Sequence, residues 1–477
     1  MTSPYLPYLQ VLAALVVALP TLACFLHGAG SLLMGRPPER VTEVLVATSL
    51  VSSFVATILI ALGMALFGVE QFEVTLGTAF RVGDYAFEVG LLVDHLTIPF
   101  MALTTALLSL IGKFSSSYLH REPGFNRFFF LLLLFAVGML LITMAGTVDL
   151  MFVGWEIVGV TSALLIGFFH ERPNPARSAL WAFGIYRVCD VALLAATILI
   201  HSATHSANYS EAFAPSAWPA GTPHLSGAMA TSIGILLVFA ALGKSAQVPF
   251  SGWLPRAMEG PTPSSAIFYG ALSIHAGAYL LLRNGPILEA SPIAAGILVA
   301  IGVITALHAT FVGRVQTDIK SILAYASVTQ VGLILAEIGM GLRILPLVHL
   351  TGHALLRTLQ LLRSPSLLHE RHKLQLSLAS ELPESGTYYE HLLPSRLRRW
   401  LYTMALERGN HDVILRGMIL EPILATARLL ERAEAFLGGS VRSGSQIQAS
   451  ASCEESPAST EPLSDLSLVP ARSRKSR

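Results

Sequence analysis

Charge is scarce in this 477-residue chain: 13% of its residues are Asp, Glu, Lys or Arg, against about 25% in ordinary soluble domains. Cysteine is scarcer still. Cys24, Cys189 and Cys453 form no CxxC or CxxH pattern, so neither a disulfide framework nor a zinc or iron–sulfur site is expected. The net charge of +1 offers nothing to a nucleic acid. No glycine-rich nucleotide loop and no cofactor ligand set occurs, so no catalytic chemistry and no cofactor are expected on this chain, and any enzyme activity would belong to an assembly. No Lys or Arg precedes Arg36. The first apolar run therefore lacks the basic start of a secretory signal and reads as a retained span.

Apolar sequence dominates instead, at 53% of the residues and a mean hydropathy of +0.62. Runs of about twenty apolar residues match the thickness of a bilayer. With Pro, Gly and charge as punctuation, the pattern predicts an all-α polytopic membrane protein of about eleven transmembrane helices. Their expected limits are 8–26, 44–67, 90–112, 128–147, 150–169, 179–200, 229–244, 264–283, 293–312, 318–339 and 344–362. Alternate loops hold Arg36 and Arg40, then Lys113, Arg121 and Arg127, then Arg172 and Arg177, then Arg256, then Arg314. The long intervening loops, 68–89 and 201–228, contain Arg81 and no other Lys or Arg. The positive-inside rule then puts the N-terminus outside and the C-terminus in the cytoplasm, with the inner membrane as the expected location.

Four regions follow. Residues 1–89 hold two spans and an outer loop, 90–362 a channel-like core, 363–440 a cytoplasmic or amphipathic region, and 441–477 a Ser- and Pro-rich tail of disordered composition. Within the third, 412–437 alternates apolar and charged residues at helical spacing with Pro422 as an expected kink. It reads either as a helix lying along a membrane or neighbouring helices, or as an ordinary amphipathic helix of a small domain.

Ionisable groups inside the spans are few, and they are costly in hydrocarbon unless they face protein or a water-filled path. Glu156 sits within VGWEIVGV with no compensating charge on its own helix. Lys244 ends an apolar run and precedes Pro249, Pro255, Pro261 and Pro263, which cannot all fit one regular helix. A helix broken at membrane depth frees backbone groups and is a common way to build an ion site. Burial and a nearby carboxylate act on an amine in opposite senses, which suits lysine, rather than arginine, to carrying a proton. A snorkelling lysine at a helix end is the alternative. His349, His353 and Arg357 are spaced by four and share one helical face. Imidazoles pass protons near neutral pH. The pair is not read as a metal site, because no acidic or cysteine ligand accompanies it in sequence. Lys320, after Asp318, reads either as a relay member or as a charge at the start of its span. Arg187 and Asp190, three apart, read as an intramembrane ion pair that tunes the Glu156–Lys244 pair electrostatically. His275 and His308 read as core histidines.

VGWEIVGVTSALLIGF, AFGIYRVCDV, GKSAQVPFSGWLPRAMEGPTPSSA and VQTDIKSILAYASVTQVG together resemble the antiporter-like membrane subunits of respiratory complex I. The resemblance, over roughly residues 90–360, is to the chain 5 or subunit L type, a superfamily shared with Mrp antiporters and with DAB inorganic-carbon transporters. It implies two inverted repeats, each with a broken helix, and a charged axis through the membrane. It implies proton-transfer roles for Glu156, Lys244, Lys320, His349 and His353, and partners in a multi-subunit complex. Arg357 stands where the family usually has lysine, and Tyr269 where histidine is common. The spans that would complete the second repeat are not found, so a shortened second repeat is expected. The function expected is proton translocation in a complex I-like NADH-quinone oxidoreductase. A gradient-coupled subunit of a DAB-type bicarbonate or CO2 transporter and a non-conducting structural subunit are the alternatives.

Overall fold

The computed structural model describes residues 4–83, 85–204, 206–213, 218–221, 225–378 and 394–438. Residues 1–417 form one compact unit and 418–477 a second, and each is described by itself.

The first unit opens with α1 (Leu6–Leu33) and α2 (Glu39–Phe67), 28 and 29 residues of almost unbroken apolar sequence. At 1.5 Å per residue each rises over about 42 Å, more than the hydrocarbon needs. Gly68 closes α2 in the left-handed conformation, φ +63°. The expected outer loop is then a β-hairpin. β1 (Phe72–Val82) pairs antiparallel with β2 (Tyr85–Val93), with two register shifts along the ladder. This corrects the third expected span. Residues 90–93 are strand, and α3 runs over Thr97–Tyr118. The apolar end of β2 merges in hydropathy with the start of α3, which hides the boundary. The hairpin is tied to the bundle where Gly146 N donates to Gly90 O at 2.8 Å and where the Tyr85 hydroxyl donates to Asp149 Oδ2 at 2.9 Å.

Next come α4 (Phe125–Met144), α5 (Val148–Ile166), α6 (Pro173–Thr204), the single turn α7 (Tyr209–Ala212) and α8 (Gly227–Lys244). After Lys244 the helical pieces are three to six residues long until α11 begins at residue 276. A 3-10 turn at Phe250–Gly252 leads to α9 (Trp253–Arg256), a second 3-10 turn, α10 (Thr262–Ser265), a π turn over Ala266–Ala271, a 3-10 turn over Ser273–His275, and α11 (Ala276–Arg283). The four prolines fall among the interruptions up to Pro263, each removing a backbone donor, while the π turn and the 3-10 turn after them contain none. Freed backbone groups find partners inside the protein, as they must at this depth. Trp253 Nε1 donates to Gly243 O (2.9 Å), Gln247 Nε2 to Ser245 O (2.7 Å), and Val248 N to Thr305 Oγ1 (3.1 Å).

The unit continues with α12 (Gly285–Glu289), α13 (Pro292–Arg314), α14 (Ile319–Gly339), α15 (Ile344–Leu378), α16 (Ser395–Leu406) and α17 (His411–Leu415). A Cβ on Gly302 of α13 would stand 2.5 Å from Gly332 O of α14, so these two helices touch backbone to backbone. Among the described residues ten helical stretches are long and apolar enough to cross a membrane: α1 to α6, α8, Thr262–Arg283, α13 and α14. The eleventh expected span lies in α15 and is not among them, because His349, His353, Arg357 and Gln360 dilute its hydropathy. α15 runs unbroken to Leu378, so the expected boundary at 363 falls inside a helix.

In the second unit α18 spans Glu421–Gly438. α18 follows directly on a π turn over Arg416–Leu420, so the helical backbone is irregular immediately before Pro422, where the kink is expected. The expected disordered tail, 441–477, lies outside the described residues.

Candidate functional site: two buried polar clusters at the interrupted helix

Lys244 is 1% exposed, although it carries a long cationic side chain. It does not snorkel. Its Nζ donates to Trp155 O at 3.1 Å and lies 4.8 Å from the Trp155 ring centre and 4.6 Å from that of Tyr186. Both ring faces carry the negative side of an aromatic quadrupole, which holds a cation without neutralising it. Gly159 makes room for this arrangement. A Cβ there would stand 3.1 Å from Lys244 Nζ and 3.2 Å from Arg187 Nη2.

Arg187 links the acids. Its Nη1 donates to Glu156 Oε2, and its Nη2 donates to Asp190 Oδ2 at 2.6 Å. The second oxygen of Asp190 accepts from Trp155 Nε1 at 2.5 Å. Glu156 is thus bonded directly to Arg187 of α6, and among the described residues it forms no ion pair with Lys244. The sequence pattern expects Arg187 to tune a Glu156–Lys244 pair from nearby; in the structure the guanidinium holds the carboxylate itself. Glu156 and Arg187 remain 25% and 36% exposed on the surface of the isolated chain.

The second cluster lies on α15 and its neighbours. His349 is held at both ring nitrogens, by Glu337 Oε1 at 2.8 Å and Gln330 Oε1 at 2.9 Å, both from α14. His353, one turn on, meets His275 instead, with Nδ1 of His353 2.9 Å from Nε2 of His275. His275 Nδ1 in turn lies 2.6 Å from Ala271 O in the π turn. Arg357 is buried and donates from Nη1 to Gln360 Oε1 at 2.7 Å. The two clusters meet at the interrupted helix, where Ser245 Oγ, next to Lys244, donates to Ile274 O, next to His275, at 2.7 Å.

Lys320 joins neither cluster. It sits half-buried in the first turn of α14, whose start is capped by Asp318 accepting from Ser321 N at 2.9 Å. Ten residues separate it from Gln330, about 15 Å along the axis. His308 stands apart as well, its ring against His411 with centroids 4.6 Å apart.

A third ionic centre has no counterpart in the sequence reading. Asp94, just before α3, and Arg283, ending α11, form a forked ion pair at 2.5 and 3.1 Å, 2% and 4% exposed. Arg283 also donates to Thr97 Oγ1 (2.8 Å) and the Tyr279 hydroxyl (3.0 Å), and that hydroxyl donates to Thr143 O. The acid between the apolar stretches GLLV and HLTIPF and the arginine ending GAYLLLR are the signal that could have found it.

Residues 145–382 match the family described as NADH:quinone oxidoreductase/Mrp antiporter, TM, and residues 80–129 match NADH-Ubiquinone oxidoreductase (complex I), chain 5 N-terminus. The chain belongs to this family of antiporter-like membrane subunits. NADH-quinone oxidoreductase subunit L of Mycobacterium tuberculosis is 35% identical over 366 residues, 76% of this chain and 56% of that protein. The Escherichia coli subunit L is 33% identical over 340 residues, 71% of this chain and 55% of that protein. The chain spans about half the length of the curated relatives it matches. A chain of the Mrp complex from a Dietzia species superposes with a TM-score of 0.60 at 27% identity, over 74% of this chain and 37% of its own. A chain of the archaeal membrane-bound sulfane sulfur reductase shares the fold, with a TM-score of 0.59 at 20% identity, over 74% of this chain and 70% of its own.

Proposed function

We propose that this chain is a proton-translocating, antiporter-like subunit of a complex I-like NADH-quinone oxidoreductase in the inner membrane, with its N-terminus outside. The observation that carries the reading is Lys244, enclosed at the end of an interrupted helix beside the Glu156–Arg187–Asp190 network. A lysine can give up its proton there, whereas the Arg187 guanidinium keeps its own, which makes Lys244 the switchable cation of the set. Glu156 is the entry carboxylate, and the histidines His349 and His353 lie beyond the interruption. Redox chemistry and quinone belong to other subunits. The partial exposure of Glu156 and Arg187 supports this division, since ionised groups at membrane depth need either a covering neighbour or a water-filled path.

The test is to purify the detergent-solubilised assembly through a tag on the C-terminal tail and identify what accompanies it by mass spectrometry. Subunits with flavin or iron–sulfur clusters are expected, and Glu156→Gln and Lys244→Ala should then abolish redox-driven acidification of inside-out vesicles while leaving assembly intact. A single soluble zinc protein would move the function to gradient-driven inorganic-carbon uptake. Unchanged pumping in both variants would leave a structural subunit.

A further inference from the structure

α16 is a short basic helix that turns large apolar side chains outward. Leu397, Trp400, Tyr402 and Leu406 are 41–59% exposed, beside Arg396, Arg398 and Arg399. That mixture suits a helix lying at headgroup depth better than one in bulk water, with the rings at the interface and the cations toward phosphate. Its buried residue is Ala405, and the helix packs on α13, the span that ends at Arg314.

Between the two helices lies a cavity of about 330 Å³. α13 contributes Phe311, Arg314 and Val315, and α16 contributes Arg398, Leu401 and Tyr402. Both sets are spaced by three and four, so each helix offers one face. Arg399 joins them. No Asp or Glu among the described residues lines the cavity, and among them none of its three arginines forms an ion pair. Three guanidinium groups around one small space repel one another and present planar donor forks, an arrangement completed by an anion with several acceptor oxygens. Toward the span the wall is apolar. Phe311 lies one turn before Arg314, and Leu307 and Ile304 carry the same face further along α13, at 40%, 57% and 54% exposure. A charged head with an apolar track leading away from it matches an amphiphile. The larger basic cavity beside Arg177 and Arg256 differs: Glu259 and Asp412 also line it, and Arg256 is already paired with Asp412 at 2.8 Å.

We propose that this cavity binds an anionic phospholipid, its phosphate held by Arg314, Arg398 and Arg399 and an acyl chain laid along Phe311, Leu307 and Ile304. The site shares no residue with the Lys244 and histidine clusters, and it does not depend on the proton-moving reading. A free phosphate would use the same arginines but would leave the apolar track uncovered, which is why the lipid is the occupant. Occupancy offsets the repulsion among the guanidinium groups and ties α16 to α13 through a molecule of the bilayer. α16 is then held firmly where the leaflet carries acidic headgroups and loosely where it is zwitterionic.

The experiment uses the full-length chain, purified in detergent with any subunits that accompany it. It is offered phosphatidylglycerol or phosphatidylcholine of identical acyl chains, and retained lipid is counted by native mass spectrometry. Phosphatidylglycerol is expected to be held in preference to phosphatidylcholine. That preference should fall about five-fold for each arginine replaced in Arg314→Gln, Arg398→Gln and Arg399→Gln. It should be unchanged in Arg177→Gln, which removes the same charge from the other basic cavity. Equal retention of both lipids, a wild-type preference in the triple variant, or an equal loss in Arg177→Gln overturns the proposal. Millimolar inorganic phosphate should leave the lipid in place; displacement would make free phosphate the ligand and overturn the lipid assignment. A phosphatidylglycerol with a photoreactive group in its acyl chain gives a readout on the wild-type chain that no folding defect of a variant can disturb. Its label is expected on the peptides that hold Ile304, Leu307, Phe311 and Leu401, and a label spread evenly over the spans sinks the assignment.

Discussion

Replacing Arg283 by methionine tests the ionic centre beneath the β-hairpin. Both partners are enclosed, and removing one of a buried pair typically costs about 3–5 kcal/mol because the other charge stays behind. The two sides are not equivalent. Without Arg283, Asp94 still accepts from Leu96 N (3.1 Å), Thr97 N (2.9 Å) and Thr97 Oγ1 (3.0 Å), so Arg283→Met belongs at the lower end, roughly 3 kcal/mol. Without Asp94, the guanidinium keeps, among the described residues, the hydroxyls of Thr97 and Tyr279, which puts Asp94→Leu at the upper end, roughly 5 kcal/mol. The double variant leaves no stranded charge and should be more stable than either single one, within about 1 kcal/mol of wild type. Equilibrium unfolding in mixed micelles reads all three. A double variant as unstable as the sum of the singles would refute the account. The pH dependence has a fixed sign. Burial acts to raise the Asp94 carboxyl, but the charge and hydrogen bonds of Arg283, with those of Thr97, outweigh it and hold the group below the ordinary carboxylate range. Its stabilisation is therefore complete above the unfolded value of about 4 and is lost as pH falls through the lower folded value. The double variant should lack this acid-sensitive component.

Gly159→Ala introduces a methyl group 3.1 Å from Lys244 Nζ and 3.2 Å from Arg187 Nη2, and should lower proton flux while leaving assembly unchanged by gel filtration; full flux would mean that the ammonium need not sit at this spot. Tyr85→Phe removes the hydroxyl bonded to Asp149. Burial, that hydrogen bond and the Asp149 charge push this tyrosine up to about 12, so it stays a donor throughout the physiological range. Its loss should weaken the hairpin anchor by about 0.5–1.5 kcal/mol, seen as faster proteolysis near residue 83, and an unchanged rate would discount the contact. Gly302→Leu should cost roughly 3 kcal/mol or more by forcing α13 off α14, read as loss of a monodisperse peak; a well-behaved variant would show that the backbone contact is dispensable.

The helices were legible because hydropathy and proline carry that information directly: α8 ends at Lys244, where the sequence predicts an interruption. The hairpin was not, because GLLV at its end reads as the start of the following span and two strands leave little signal beside long helices. Asp94 and Arg283 were missed since each sits at the edge of an apolar run, where a charge looks like a boundary, and 189 residues separate the partners. Arg187 and Asp190 could be paired from spacing alone, but the bond from Arg187 to Glu156 depends on how α5 crosses α6. His275 reads as a core histidine because no periodicity within its segment reveals that α15 brings His353 against it.

The arrangement around Gly159 has a consequence for stoichiometry. Two cations, Arg187 and Lys244, face two carboxylates, Glu156 and Asp190, so the fully ionised set is electrically neutral. In surroundings of low polarisability an uncompensated charge is expensive, and the expense grows with enclosure. A proton added to either acid leaves the set at plus one, and a proton taken from Lys244 leaves it at minus one. Neither state is favoured alone; the two together restore zero. If the proposed proton translocation runs through this cluster, charge balance would couple loading at one carboxylate to release from the lysine.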